Sequence, residues 1–322
     1  MIRAVRVHEV GSPEVMRIEE IELPPPGADE VLVRNHAVGV NFIDVYFRSG
    51  HYAAPQTPFV LGNEAAGEIA ELGKDVRGFK VGDRVAYLAN LGYAEARIVP
   101  TERLIALPKS VSYETGAAML LKGLTAQYLL RQTYKVRKDD RVLVHAAAGG
   151  TGLILCQWAS ALGARVIGTV GSAEKAELAK KAGAKDIILY REEDFAARVK
   201  EITKGKLCDV VYDGVGKATF PASLDCLRPF GMFVSFGSAS GAIEAFDLRL
   251  LARKGSLYAT RPTLNTHTAD PQDLRKMARD LIRVVKKGTV DIPITTYPLK
   301  DVVAIHRALE ARQTTGSIVL VP

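Results

Sequence analysis

The chain has 322 residues, 48% apolar and 25% charged, which is material for about two domains of ordinary soluble composition. Lys and Arg outnumber Asp and Glu by 43 to 36, for a net charge of +7. No run of five basic residues occurs, so the excess suits a small anionic ligand and argues against nucleic acid as a partner. Cys156, Cys208 and Cys226 are odd in number and share no metal-like spacing, so no disulfide framework is implied, which fits a reducing, cytoplasmic setting.

The opening Met1-Ile-Arg-Ala-Val-Arg-Val-His8 alternates like a strand and lacks the apolar core of a secretion signal. Ile2–Val7, Val31–Val40, Ala65–Leu72 and Arg84–Leu88 read as strands, punctuated by Pro24-Pro-Pro26 and Val81-Gly-Asp83. Short strands at such spacing predict a barrel-like all-β unit. Ser112–Leu130 then turns helical, with Ala117, Ala118, Leu121, Leu124 and Tyr128 on helical spacing. From Arg141 the texture changes. Strand patterns at Val142–His145, Arg165–Val170, Asp186–Tyr190, Cys208–Tyr212, Met232–Phe236 and Ser256–Thr260 alternate with helical ones. The helices are the Trp158 segment, Ala173–Ala182, Phe195–Thr203 and Thr219–Leu227. This alternation predicts an α/β fold, a doubly wound six-stranded parallel sheet, with its ligand at the carboxyl ends of the strands. Ala146–Gly163 is the most membrane-like stretch, but Gly149, Gly150, Gly152, Gln157 and Ser160 break it, so no membrane span is expected. The tail holds a helix over Pro271–Lys287, a strand over Ile292–Tyr297, a helix over Lys300–Ala311 and a strand over Ser317–Val321. It does not extend the parallel pattern and is expected to return to the first domain. The expected boundaries are 1–122, 123–262 and 263–322.

The turn after the first parallel strand reads Ala147-Ala-Gly149-Gly150-Thr151-Gly152. Set against G-x-G-x-x-G, it has Ala147 at the first glycine, Gly149 at the second and Gly152 at the third. Gly149 lets backbone approach a pyrophosphate, and Gly152 lets helix and strand pack closely. A carboxylate that holds a ribose 2′-hydroxyl is expected about 20 residues further on, at the end of the second strand. Gly171 stands there instead, followed by Ser172 and Lys175. Both the ribose anchor and the repulsion against a 2′-phosphate are missing, and Tyr190 adds a phenolic donor from the third strand. The cofactor expected is therefore NADPH rather than NADH.

These residues join Asn41-Phe-Ile-Asp44, Leu61-Gly-Asn-Glu64-Ala-Ala-Gly67, Val81-Gly-Asp-Arg-Val85, Lys122-Gly-Leu-Thr125, Val234-Ser-Phe-Gly237 and Thr315-Gly-Ser-Ile-Val319. Together, over essentially the whole chain, they resemble the zinc-free quinone oxidoreductases of the medium-chain dehydrogenase/reductase superfamily, in the zeta-crystallin-like branch. The resemblance implies a GroES-like β-barrel catalytic domain built from both chain ends, around an NADP-binding Rossmann domain, and a homodimer. It places Asn41, Lys122, Thr125 and Tyr128 around the nicotinamide half of the cofactor. Gly150, Thr151, Gly171, Ser172, Lys175 and Tyr190 fall around the adenosine diphosphate half. Val215, Phe236, Gly237, Ser238 and Arg261 are further contacts from later loops. Tyr46 and Tyr52 wall the substrate pocket, with a phenol as donor, and count with Asn41 as the catalytic candidates. Asn41 with Asp44 also reads as a helix N-cap, the two tyrosines as packing residues, and His145 as a satisfied core histidine.

Zinc-dependent alcohol dehydrogenases of that superfamily carry Cys and His where this chain has Asn41 and Asn63, and a four-cysteine lobe. No cysteine precedes Cys156, so neither metal site is expected. Reduction of a simple ketone generates an alkoxide, whereas a quinone gives a phenolate-like anion. A phenol ionises near roughly 10, against roughly 15.7 for water as a stand-in for an alcohol, which leaves about 8 kcal/mol less charge to stabilise. Conjugated acceptors, quinones or α,β-unsaturated carbonyls, are therefore the expected substrates. The expected function is NADPH-dependent quinone reduction. The alternatives are an alkenal or enone reductase, or a cofactor-loaded structural or RNA-binding crystallin-like protein.

Overall fold

In the computed structural model, which describes residues 1–53 and 56–322, the longest strand organises the N-terminal part of the chain. The elements up to residue 122 are β1 (Ile2–Val7), β2 (Met16–Ile21), β3 (Glu30–Val40), helix α1 (Phe42–Ser49), β4 (Phe59–Val60), β5 (Glu64–Leu72), β6 (Arg84–Leu88), β7 (Ala96–Pro100) and β8 (Leu104–Ala106). Helix α2 (Tyr113–Tyr128) follows. β3 pairs antiparallel with both β5 and β7. Val31 and Val33 face inward, as period-2 alternation dictates, and pack with Ile69, Val85, Tyr87 and Leu104 in one apolar core.

Beyond α2 come β9 (Arg141–Val144), α3 (Gly150–Ala161), β10 (Arg165–Val170), α4 (Ala173–Lys181), β11 (Asp186–Leu189), α5 (Phe195–Ile202), β12 (Cys208–Asp213), β13 (Leu227–Ser235), α6 (Arg249–Arg253), β14 (Tyr258–Thr260) and α7 (Leu264–His267). The six strands form one sheet in the order β11-β10-β9-β12-β13-β14, and every neighbouring pair is parallel. Continuous apolar runs suit strands covered on both faces, and β12 is buried along its whole length. This is the expected doubly wound α/β sheet. The helix expected over Thr219–Leu227 is shorter and tighter, a 3₁₀ turn over Ala222–Cys226. Pro221 lacks an N–H and biases the residue before it away from the helical region, so the segment cannot run as one α-helix.

The tail supplies α8 (Pro271–Lys286), β15 (Ile294–Pro298), α9 (Val302–Glu310) and β16 (Ser317–Val321). β16 pairs with β3, so the last strand of the chain completes the first sheet. Two compact units result: Met1–Lys122 with Asp270–Ile282 and Ile292–Pro322, and Gly123–Ala269 with Arg283–Asp291. Residues 263–269 and Arg283–Asp291 thus lie with the second unit, unlike the expected boundary at 263. The Gln157 side chain accounts for the second piece: its amide donates to Asp291 O at 2.8 Å and its carbonyl accepts from Asp291 N at 2.7 Å. Among the described residues no helix is long and apolar enough to cross a membrane.

Candidate active site

In the second unit, the candidate residues gather at the carboxyl ends of the six strands. β9 runs into a turn in which Ala146 holds a left-handed φ of 53° and Gly149 caps α3. The first amides of a helix have no intrahelical acceptor, so the N–H groups of Gly150 and Thr151 are available to a phosphate, and the helix dipole favours one there. A Cβ on Gly152 would lie 2.3 Å from Ala146 O, so no side chain fits that position. A Cβ on Gly149 would meet only Ala146 O, at 3.2 Å, which leaves its other side open to a ligand. Ala147 departs from the glycine fingerprint, and its methyl is fully buried. The neighbouring strand compensates: a Cβ on Gly168 would come within 2.8 Å of the Ala147 Cβ.

At the end of β10, a Cβ on Gly171 would lie 2.7 Å from the Tyr190 hydroxyl and 3.4 Å from Arg191 Nε. Ser172 caps α4, its hydroxyl accepting from Lys175 N, and its own proton stays available for donation. Gly171, Ser172 and Tyr190 are thus together, and Lys175 follows in the first turn of α4, its N–H held by Ser172. Arg191 joins them and was not singled out from sequence, although it directly follows Tyr190. The later loops also converge. Phe236 packs its ring over Gly214, and a Cβ on Gly237 would lie 2.5 Å from Gly214 O. Arg261 donates to Gly237 O at 2.8 Å and to Ser235 Oγ at 3.1 Å, and reaches Ser238 Oγ at 3.4 Å.

A buried polar network holds this edge rigid. Asp213 Oδ1 accepts from the N–H groups of Val215 and Gly216 at 2.8 and 3.0 Å. Its Oδ2 accepts from Thr219 Oγ1 at 2.6 Å and Ser223 Oγ at 3.2 Å. His145 bridges Ser223 Oγ at 3.0 Å and Thr169 Oγ1 at 2.9 Å, so both ring nitrogens are satisfied. Burial pushes the His145 pKa down, against the Asp213 charge, and keeps the ring neutral. The ends of β9, β10 and β12 are joined in this way. The sequence signal was a carboxylate, Asp213, closing the apolar run of β12. Tyr128 and Thr125 lie on α2, both buried. The Tyr128 ring stacks on His267 at 4.4 Å, a partner that sequence reading passed over.

The first unit builds its candidates differently. Asn41 is the N-cap of α1, and its N–H donates to Asp44 Oδ2 at 2.8 Å, as the N-cap reading requires. Asn41 Nδ2 donates to Glu64 Oε2 at 2.8 Å, and Leu121 N donates to Glu64 Oε1 at 3.0 Å. Asn63 Nδ2 donates to Asp44 Oδ1 at 2.6 Å and Tyr93 donates its hydroxyl to Asp44 Oδ2 at 2.8 Å. His306 Nε2 closes the chain on Tyr93 at 3.2 Å. Lys122 is buried and donates to Val40 O at 3.1 Å. Burial pushes Asp44 up to about 6, opposed by its donors and the Lys122 charge. It also raises Glu64 and lowers Lys122, while the charges of the two partners oppose both shifts. Asn41 Oδ1 is buried with no hydrogen-bond partner among the described residues. Tyr46 and Tyr52, both half-buried, form an aromatic wall with Phe42 and His51, ring centroids 5.0 Å apart between the two tyrosines.

Residues 27–138 match the alcohol dehydrogenase GroES-like domain, and residues 150–283 match the zinc-binding dehydrogenase family. A quinone oxidoreductase of Pseudomonas aeruginosa is 49% identical over the full length of both chains. A 2-haloacrylate reductase of a Burkholderia species is 44% identical over 100% of this chain and 99% of its own. The crystal structure of Escherichia coli quinone oxidoreductase complexed with NADPH superposes with a TM-score of 0.97 at 46% identity, covering 99% of this chain and 100% of that one. Zinc, implied by one family description, does not fit the donors present. Asn41 and Asn63 spend their amide N–H groups on Glu64 and Asp44, whose oxygens are all occupied by donors, and Lys122 adds positive charge. Among the described residues no cluster of three or more His, Cys, Asp or Glu could hold a metal. Sequence, fold and relatives agree that this chain belongs to the quinone oxidoreductase family of the medium-chain dehydrogenase/reductase superfamily.

Proposed function

We propose that this protein is an NADPH-dependent quinone oxidoreductase that works without zinc. The observation that carries the reading is Gly171. No carboxylate stands where a ribose diol would be held, and Ser172, Lys175, Tyr190 and Arg191 offer donors and positive charge around the same point. A 2′-phosphate fits that set, and the NADPH complex of the E. coli relative supports it.

When bound, NADPH supplies the hydride. The amides of Gly150 and Thr151 would hold the pyrophosphate. Val215, Phe236, Gly237, Ser238 and Arg261 would brace the cofactor from the later loops, held in place by the Asp213 network. Asn41 offers its unpartnered Oδ1 to the nicotinamide half, with Lys122, Thr125 and Tyr128 as further contacts. Tyr46 and Tyr52 wall the acceptor, and a phenol there donates the proton that converts the reduced acceptor to its neutral product. In this reading the first unit is the catalytic domain and the second the NADP-binding domain.

A second acceptor class, activated alkenes, is supported by the similarity to the 2-haloacrylate reductase. We further infer a homodimer, supported by the outer strand β14, whose Tyr258 is 58% exposed, and by Leu248 at the start of α6, 72% exposed. A cytoplasmic location is supported by three free, buried cysteines. Steady-state kcat/KM for a benzoquinone and an enal, each with NADPH and NADH in chelator-treated buffer, tests the function. Preference for NADPH by at least about tenfold is expected from one charged contact, with turnover unaffected by the chelator. Equal use of both cofactors, or no turnover of either acceptor, refutes it. The ratio of the two acceptors decides the substrate class.

A further inference from the structure

The sheet of the second unit has an opposite edge, and that edge is basic. Four adjacent strands, β11, β10, β9 and β12, each enter the sheet beside a cation. Lys185 precedes β11, Arg165 opens β10, Arg141 opens β9, and Lys204 and Lys206 lie in the loop before β12. These five side chains, with Asp139, line a cavity of about 650 Å³, within the usual range for a small-molecule site.

The rim is tied together by its backbone. Asp139 N donates to Gly163 O at 2.9 Å, Arg165 N to Asp140 O at 2.8 Å, and Lys185 N to Val166 O at 2.9 Å. Arg141 N donates to Asp209 Oδ2 at 2.8 Å, and Thr203 Oγ1 accepts from Leu207 N at 3.0 Å. Arg141 and Arg165 are held by Asp209 and Asp186, and Asp209 also serves Arg228. Lys185, Lys204 and Lys206 are exposed and make no ion pair among the described residues. The positive charge therefore exceeds what the local carboxylates offset.

We infer that this amino-end cavity binds a short polyphosphate chain. Strands spaced about 4.8 Å apart spread the cations over about 14 Å across the four strands. A single phosphate cannot reach them all, whereas three or more linked phosphates can. No aromatic side chain lines the cavity among the described residues, so it offers nothing on which a base would stack. The shared chemistry is the linked phosphates, either free or as the tail of a nucleoside triphosphate.

Calorimetric titration of the full-length protein with tripolyphosphate tests this, with ATP, orthophosphate and citrate as further arms. One site is expected for tripolyphosphate, with ATP within about threefold, orthophosphate and citrate at least tenfold weaker, and affinity falling steeply with salt. Lys204→Gln with Lys206→Gln should weaken binding at least tenfold, and Lys185→Gln alone by about threefold, with thermal melting unchanged. The same titration in saturating NADPH should give the same affinity. Undiminished binding to the variants, displacement by NADPH, citrate binding as tightly as tripolyphosphate, or absence of saturable binding overturns the inference. ATP binding more than tenfold tighter than tripolyphosphate overturns the assignment to phosphates alone. None of these readouts depends on the quinone reaction.

Discussion

The two units prepare their candidate residues by opposite means. At the carboxyl edge of the parallel sheet, side chains are absent where the chain packs against itself: a Cβ on Gly152, Gly171 or Gly237 would lie 2.3, 2.7 or 2.5 Å from another atom, and one buried carboxylate, Asp213, keeps the loops in place. In the first unit, polar side chains are packed into the interior: Asn41, Asp44, Glu64 and Tyr93 are buried and, with the half-buried Asn63, hydrogen-bond to one another, while the buried Lys122 donates to Val40 O. The first arrangement tolerates no added atoms, the second no lost partner. Substitutions should therefore fail for different reasons in the two places.

The sharpest break is Glu64→Ala. It strips the Asn41 amide and the Leu121 N–H of their acceptor, at about 1–3 kcal/mol each, and removes one of the two carboxylate charges that act on the buried Lys122. Urea unfolding should show it, and adding Lys122→Met should recover part of the loss. Asp44 gives a pH test of the same cluster. Its pKa rises from 3.8 to about 6 on folding, because burial outweighs its hydrogen bonds. Between these values the folded chain binds more protons than the unfolded one, so this group makes stability fall as pH rises through that interval. Asp44→Asn should flatten the fall, measured as the difference in unfolding free energy between pH 4 and pH 7. An unchanged difference would mean that Asp44 is not shielded from water.

On the glycine side, Gly152→Ala must push a methyl against Ala146 O. A loss of about 1–3 kcal/mol in stability is expected from overpacking, and NADPH affinity should fall with it. Lys175→Ala should leave folding intact and weaken NADPH by about 1–3 kcal/mol, in line with one charge-assisted hydrogen bond, with little effect on NADH. Fluorescence titration with the two nucleotides reads this directly. A matched loss for both would remove Lys175 from the 2′-phosphate.

The same contrast explains what could be read from sequence. The six parallel strands were legible because buried strands are continuous apolar runs. The turn at Gly149–Gly152 was legible because its residues are consecutive. β2, β4, β7 and β8 were not separately identified, since they are short or partly exposed and lack a clear alternation. Asn41 was legible as an N-cap through Asp44, three residues away. Its bond to Glu64 and the Tyr93–His306 contact span 23 and 213 residues, distances over which no local pattern operates. Arg191 was missed because a basic residue after a strand ordinarily reads as solvated surface, and only the approach to Gly171 gives it a role.

The Ala147 methyl, set against the missing side chain at Gly168, makes those two positions one unit of sequence variation. Either can carry the extra carbon, but both together collide. Gly168→Ala should be harmful alone and tolerated once Ala147 is glycine, so the effect of either change has a sign only in the context of the other. A fingerprint search that scores position 147 by itself would count as a defect what is half of a coupled substitution.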